Sequence, residues 1–284
     1  MGHQNPCGML GSELERFVDE DLGEWDDSSA LVPEVKARAV VIAKENCVIS
    51  GLSEAKEIFA YFGLAAGPLF EEGEFVPAGC KVLSVSGSAR KILQSERLVL
   101  NFMARMSGIS TLTRECVLRA QARGNVRIAC TRKTTPGFRL YEKKAVFLGG
   151  GDTHRFNLSE AILIKDNHIQ LQGLDECLRR ARSRASFTKK IEVEVENLKD
   201  MLRAAESGAD IIMFDNMTPA EISKGVELLQ EKGLRGRVLL EASGGISPED
   251  IEAYASTGVD VISLGALTRN ARWIDLSLDI EQAQ

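Results

Sequence analysis

From residue 126 onward the chain keeps one rhythm: a short apolar run, a polar break, an amphipathic segment, then the next run. The runs are VRIAC (126–130), AILIK (161–165), IEVEVE (191–196), DIIMF (210–214), RVLLE (237–241) and DVISL (260–264). They have the length of strands, and the stretches LKDMLRAAESG, TPAEISKGVELLQEKG and SPEDIEAYASTG between them have helical spacing. Thr218-Pro219 and Ser247-Pro248 are helix-start signals, and Gly208, Gly233 and Gly258 are helix-stop signals. Strands that alternate with helices imply a parallel sheet with right-handed crossovers. Six such runs, with no glycine-rich dinucleotide fingerprint after the first, favour a β/α barrel over an open doubly wound sheet.

The first part of the chain has mixed character. Residues 11–22 read as a short amphipathic helix, and residues 35–49 contain apolar runs with strand character. SEAKEIFAYFGL reads as a helix, and KVLSVSGSAR opens a strand at Lys81. A long helical pattern runs from Ala89 to Arg123, with an interruption expected near Ser107 and Gly108. Its stripe of Leu93, Leu98, Val99, Phe102, Met103 and Met106 is read as core packing. A chain of 284 residues exceeds the usual size of one core, so one large or two moderate domains are expected.

Composition excludes several classes. No apolar run approaches the roughly 20 residues that span a bilayer, so no membrane role is expected. The opening MGHQNPCGMLGSELERF lacks a basic stretch followed by an apolar one, so no secretion signal is read and a cytoplasmic location is expected. A formal net charge of -6 argues against a general nucleic-acid binder. Cys7, Cys47, Cys80, Cys116, Cys130 and Cys177 are scattered and form no C-x-x-C pair, so free thiols are expected rather than a zinc site.

Against that acidic background, residues 131–168 are dense in cations: Arg132, Lys133, Arg139, Lys143, Lys144, Arg155 and Lys165, together with His154 and His168. In β/α barrels chemistry collects where strands end. VRIAC is followed by Thr131, Arg132 and Lys133; AILIK ends in Lys165; IEVEVE carries Glu192, Glu194 and Glu196 on one face. DIIMF runs into Asp215 and Asn216, RVLLE into Glu241, Ser243, Gly244 and Gly245, and DVISL into Gly265 and Ala266. Grouped cations are costly unless paired. Asp215, Glu194 and Glu241 are too few to pair them all, which leaves room for a multiply anionic ligand. Arginine suits its carboxylates through two-point hydrogen bonding. The glycine-containing endings suit a phosphate, which in barrels often sits after the last two strands. His154, in GGGDTHR, is read as a ligand contact, His168 as a structural hydrogen-bonding residue, and His3 as part of a disordered terminus.

The runs TRKTTPGFR, GGGDTHRFNLSEAILIKDNH, EVEVEN, MFDN, EASGGI and GALT, with KENCVISG and SERLVLNFMARMSGIST upstream, resemble the quinolinate phosphoribosyltransferase family over nearly the whole chain. The opening DLGEWDDSS departs from the family's D-I-G-x-G-D-x-T pattern. The resemblance implies an α/β protein with an N-terminal α/β sandwich domain (1–115) and an incomplete, TIM-like (β/α) barrel (116–270). A final segment (271–284) would return to the first domain. It implies phosphoribosyl transfer from 5-phosphoribosyl-1-pyrophosphate to quinolinate with decarboxylation, assisted by Mg2+. It also implies a homodimer, or a multiple of dimers, with Arg97 contributed across the interface. Arg132, His154, Arg155 and Lys165 would hold the quinolinate carboxylates, with Thr131 beside them, and Lys133 would contact the pyrophosphate donor. Glu194 and Asp215 would hold the ribose hydroxyls and the metal, directly or through water. Ser243, Gly244, Gly245, Gly265 and Ala266 would cradle the 5-phosphate. Lys133, Lys165, Glu194 and Asp215 would carry the chemistry. A related transferase acting on nicotinate or another base stays open, as does a non-catalytic phosphosugar-binding barrel.

Overall fold

The computed structural model describes residue 9, residues 11–24 and residues 26–283; His3 and Cys7 lie outside them. In chain order the first elements are α1 (Gly11–Leu22), α2 (Asp27–Ala30), β1 (Lys36–Ala43), β2 (Cys47–Val48), α3 (Leu52–Tyr61), β3 (Ala65–Pro68), β4 (Phe75–Val76), β5 (Lys81–Ser88) and α4 (Ala89–Gln121). Then come β6 (Arg127–Ala129), α5 (Arg139–Leu148), β7 (Ile162–Ile164), α6 (Asp166–Gln172), α7 (Leu174–Arg184), β8 (Ile191–Val195), α8 (Leu198–Glu206) and β9 (Ile211–Asp215). The last are α9 (Pro219–Glu231), β10 (Leu239–Ser243), α10 (Ile251–Ala255), β11 (Val261–Ser263), α11 (Ala266–Arg269) and β12 (Leu276–Ala283). The chain divides into two units. One takes the described residues up to Leu112, Leu140–Gly149 and those from Ala271 on; the other takes Thr113–Arg139 and Gly150–Asn270.

The first unit is built on an antiparallel sheet of order β12-β1-β5-β3. In β1, Ala37, Ala39, Val40, Val41 and Ala43 are buried, which gives the strand its apolar face. The part of α4 within this unit docks through small hydroxyls. Ser107 Oγ accepts from the Ser50 N–H (3.0 Å) and donates to the Ser50 carbonyl (3.1 Å), and Thr111 Oγ1 accepts from the Val48 N–H (2.9 Å). The interruption expected near Ser107 and Gly108 is absent, because α4 is continuous. Gly108 is there for space rather than flexibility. A Cβ at this position would lie 1.9 Å from the Arg272 carbonyl oxygen. Phe17, Phe102 and Tyr141 meet edge to face, with centroids 4.9 to 6.1 Å apart.

The second unit is a parallel sheet of order β6-β11-β10-β9-β8-β7. The first strand pairs with the last, as in a barrel, while β6 and β7 are the two ends of the order, so the cylinder is incomplete. Ile128, Val193, Ile212, Phe214, Leu240 and Ile262 are buried in its walls. The helices stop and start as their sequence signals require. Thr218 and Glu221 form a capping box before α9, Asn197 caps α8, and Gly208, Gly233 and Gly258 take positive φ after their helices. The strands enter the sheet on acidic staples: Asp210 accepts from the Ile191 N–H (2.8 Å) and Asp260 from the Leu240 N–H (2.7 Å). β8 ends at Val195, so Glu196 lies beyond the strand and is exposed.

Candidate active site

The open edge of the cylinder sets the position of the cations. Asp152 forms a single parallel bridge with Ala129, so GGGDTHR runs beside β6 where another strand would otherwise lie. The Asp152 N–H donates to Ile128 (2.7 Å), and the Asp152 carbonyl accepts from the Cys130 N–H (3.0 Å). The segment that follows β6 and the one that follows Asp152 therefore leave the barrel side by side. Arg139 ties them again, donating from Nε to Thr134 Oγ1 (2.9 Å) and from Nη1 to the Phe156 carbonyl (3.2 Å). Thr268 Oγ1 donates to the Lys133 carbonyl at 2.7 Å. Arg132, Lys133, His154 and Arg155 reach one cavity by this route.

The parallel strands supply the remaining wall by period-two alternation. Leu163 and Lys165 from β7 and its end, Glu194 from β8, Met213 and Asp215 from β9, Glu241 and Ser243 from β10 and Ser263 from β11 all line the cavity. Register stacks them: Glu194 and Glu241 both pair with Met213, and Ser243 pairs with Asp215. At the end of β9, Asn216 takes a φ of 54° and donates from Nδ2 to Asp215 Oδ2 (2.8 Å). Gly244 has a φ of 90°, and a Cβ there would lie 2.5 Å from the Asn216 nitrogen, so this close backbone approach needs glycine.

The cavity holds ≈ 420 Å³, within the usual range for small-ligand sites. Its charges are only partly matched. Lys165 Nζ lies 2.6 Å from Glu194 Oε2. Among the described residues, no carboxylate lies within ion-pair distance of Arg132, Lys133 or Arg155. Burial and then the neighbouring Arg132 charge push the Arg155 pKa down, against the smaller opposing pull of Glu192 and Glu194. Burial and then Glu194 push the Asp215 carboxyl up. Deeper in the barrel, His154 Nε2 lies 3.3 Å from Glu241 Oε2 and 3.7 Å from Glu192 Oε2. Burial opposes charge on that ring, but the two carboxylates outweigh it and raise its pKa to about 10.

Of the residues read from the sequence, Thr131, Arg132, Lys133, His154, Arg155, Lys165, Glu194, Asp215, Ser243, Gly244 and Gly245 share the cavity. Gly265 and Ala266 are not part of its lining: Gly265 sits behind Lys133, where a Cβ would be 3.3 Å from Lys133 Cδ, and α11 is a four-residue turn. Arg97 is exposed on α4 within the first unit. His168 accepts from the Lys165 N–H through Nδ1 (3.0 Å) and so caps α6. Leu163, Met213, Asn216 and Ser263 line the cavity without having been singled out as ligand contacts. The alternation in DIIMFDN and DVISL was the available signal for Met213 and Ser263.

The fold and cavity define a class: an α/β protein whose partial barrel opens onto a receptor for a small ligand with several negative charges. Residues 27–107 match the family described as "Quinolinate phosphoribosyl transferase, N-terminal domain", and residues 109–279 match its C-terminal domain. The "Probable nicotinate-nucleotide pyrophosphorylase [carboxylating]" of Methanothermobacter thermautotrophicus is 45% identical over 94% of this chain and 97% of its own length. The Homo sapiens "Nicotinate-nucleotide pyrophosphorylase [carboxylating]" is 37% identical over 97% of this chain and 93% of its own. The solved structure of the nicotinate-nucleotide pyrophosphorylase from Francisella tularensis superposes with a TM-score of 0.89 at 35% identity, covering 98% of this chain and 100% of that one. The chain belongs to the quinolinate phosphoribosyl transferase family. Among the described residues no helix is long and apolar enough to cross a membrane.

Proposed function

We propose that this chain transfers the phosphoribosyl group of 5-phosphoribosyl-1-pyrophosphate to quinolinate with loss of carbon dioxide, giving nicotinate mononucleotide and pyrophosphate. One observation of the site carries the reading alongside family membership. Arg132, Lys133 and Arg155 converge on one cavity, and among the described residues no carboxylate lies within ion-pair distance of any of the three. Quinolinate carries two carboxylates, and the donor carries phosphate and pyrophosphate, so the ligands supply the missing charge.

Arg132, Arg155, His154 and Lys165 are assigned to the two carboxylates of quinolinate. Lys165 has one of its three donors committed to Glu194 and keeps the others. Lys133 is assigned to the pyrophosphate and Ser243, Gly244 and Gly245 to the 5-phosphate. Glu194 and Asp215 fit a magnesium ion, because Glu194 disfavours charge on the Asp215 carboxyl and a hard divalent cation held by the pair, direct or through water, would offset that repulsion. When bound, magnesium neutralises the leaving pyrophosphate.

The bond from ribose C1 to pyrophosphate breaks with its electron pair leaving on oxygen. The positive charge left on the ribose faces Glu194 and Asp215. The pyridine nitrogen donates its lone pair to C1 and becomes cationic. The neighbouring carboxylate then leaves as carbon dioxide, its bonding pair stays on the ring carbon, and that carbon takes a proton from solvent. No protein nucleophile enters the sequence.

Incubating the protein with quinolinate, phosphoribosyl pyrophosphate and magnesium, followed by chromatography, should show nicotinate mononucleotide and carbon dioxide. Turnover of nicotinate in place of quinolinate would overturn the assignment in favour of a related transferase. The working assembly is proposed to be a homodimer in which Arg97 completes the partner's site. Mixed Arg97→Ala and Arg155→Ala protomers should regain roughly a quarter of wild-type activity, because half the dimers are mixed and each keeps one complete site. No recovery after subunit exchange would reject that arrangement.

A further inference from the structure

Between Asp215 and the loop assigned to the 5-phosphate stands Asn216, which has no part in the steps above. It follows β9, lines the cavity and takes a φ of 54°, a left-handed conformation. Asparagine tolerates that region better than most residues but adopts it at a cost, so its surroundings must hold it there. The Asn216 N–H donates to the Ser243 carbonyl at 3.0 Å, one step beyond the Asp215–Ser243 pair that ends the β9–β10 ladder. On the other side, the Tyr254 hydroxyl donates to the Met217 carbonyl at 3.2 Å.

The side chain of Asn216 reaches two parts of the site. Nδ2 donates to Asp215 Oδ2 at 2.8 Å. An ionised carboxylate only accepts, so the amide nitrogen must face it and the amide oxygen must face away. That oxygen lies against the phosphate loop: a Cβ built on Gly244 would be 2.6 Å from Oδ1, and one built on Gly245 would be 3.8 Å from it. Ser263 Oγ donates to Ser243 Oγ at 2.9 Å and steadies the same loop from β11.

We propose that Asn216 is a positioning residue for the phosphoribosyl donor: its backbone and amide together lock the Asp215 carboxylate to loop 243–245, so that the ribose hydroxyls and the 5-phosphate are held at one fixed separation. The inference deepens the functional reading and rests on it. A ligand gripped at two points gains from a rigid frame, because the second contact then costs little further freedom. Where the two grips move independently, each still takes its own group, but the advantage of engaging both at once is lost. The ligand so selected is a phosphorylated sugar with free hydroxyls, and the pyridine ring takes no part.

Asn216→Gly removes the side chain and keeps both the left-handed backbone and the N–H that bonds Ser243. In direct titrations without magnesium it should bind ribose 5-phosphate about tenfold more weakly than wild type, and in assays its KM for phosphoribosyl pyrophosphate should rise by a similar factor. Inorganic phosphate, which uses only one grip, should bind within about twofold of its wild-type affinity, as should quinolinate alone, and the unfolding midpoint should hold. Asn216→Asp keeps the shape, sets a carboxylate against Asp215 and should lose as much affinity for ribose 5-phosphate, so the test survives a glycine variant that folds poorly. In an Asp215→Ala background, Asn216→Gly should cost less than about threefold, because the frame is already broken.

Wild-type affinity of either Asn216 variant for ribose 5-phosphate overturns the proposal. An equal loss for inorganic phosphate and ribose 5-phosphate assigns Asn216 to shaping the loop alone and overturns it as well. A full tenfold loss in the Asp215→Ala background makes Asn216 a direct ligand contact and overturns the positioning role. Failure of the wild type to bind ribose 5-phosphate or phosphoribosyl pyrophosphate instead sinks the functional reading, so the two failures are told apart.

Discussion

The two units treat buried charge in opposite ways. In the first, Arg105 Nη2 meets Glu142 Oε1 at 2.6 Å, with side-chain exposures of 12% and 0%, and Arg105 Nη1 also donates to the Ala271 carbonyl (3.0 Å). Lys144 Nζ likewise meets Glu54 Oε1 at 2.7 Å and Ser53 Oγ at 2.6 Å. Each of these cations faces its own acid. In the barrel, Arg132 Nε has no partner, neither side-chain oxygen of Glu192 has a hydrogen bond, and Arg155 is held beside another arginine. A closed pair fixes packing and has nothing to offer a ligand. An open set costs stability until an anion enters, and that cost is what gives the cavity its selectivity for multiply charged ligands.

The sharpest test of that contrast is the largest in effect. Arg155→Ala and Lys165→Ala should each lower kcat/KM for quinolinate about 10³-fold, equivalent to about 4 kcal/mol. The unfolding midpoint of Arg155→Ala should be unchanged or higher, because the substitution relieves repulsion with Arg132. Ordinary turnover by either variant removes the distinction between the units. The converse change is Arg105→Ala, which takes the Arg105 charge away from buried Glu142 and should cost about 3–5 kcal/mol of stability. Denaturant melts read the loss, and activity of the remaining folded fraction should stay intact. Replacing Arg105 and Glu142 together with methionines should cost less than Arg105→Ala, and a double variant worse than the single would contradict the reading of a closed pair.

Gly108→Ala tests the first unit without touching charge. Alanine in a helix interior normally stabilises by about 1 kcal/mol over glycine. Here the Cβ would lie 1.9 Å from a backbone carbonyl, so the sign should reverse and the variant should lose about 1–3 kcal/mol. A stabilised variant would mean that Arg272 and its neighbours shift freely.

What could be read from the amino acids follows from the range of the interactions. The βα rhythm, the Thr218 cap and the glycine stops depend on neighbours a few residues apart, and they stand where the pattern placed them. The continuity of α4 did not, because Gly108 is explained by Arg272, far along the chain. The membership of Arg132, Arg155, Glu194 and Asp215 in one cavity follows once strand ends are assumed to converge. The role of Asp152 in bridging the open edge has no local signal, since one residue makes no strand pattern. IEVEVE announced three acids on one face, yet only the depth of the barrel separates buried Glu192 from cavity-lining Glu194 and exposed Glu196.

The smallest effect is the dependence of barrel stability on pH. His154 is raised from about 6.5 in an unfolded chain to about 10 when folded, so folding favours its protonated form. That contribution is complete below about pH 6.5 and drains away as pH climbs towards 10, because the folded state then loses the proton it held against the acids. The unfolding midpoint should therefore fall on going from pH 7 to pH 10, and other groups titrate in the same range. The comparison is thus with His154→Gln, which lacks the linked proton. Wild type should lose about 2–4 °C more than the variant for each kcal/mol of linkage over that interval. Parallel slopes would show that the acid pair of Glu192 and Glu241 does not hold an extra proton on the ring. The open charge of the barrel would then reside in Arg132, Lys133 and Arg155 alone.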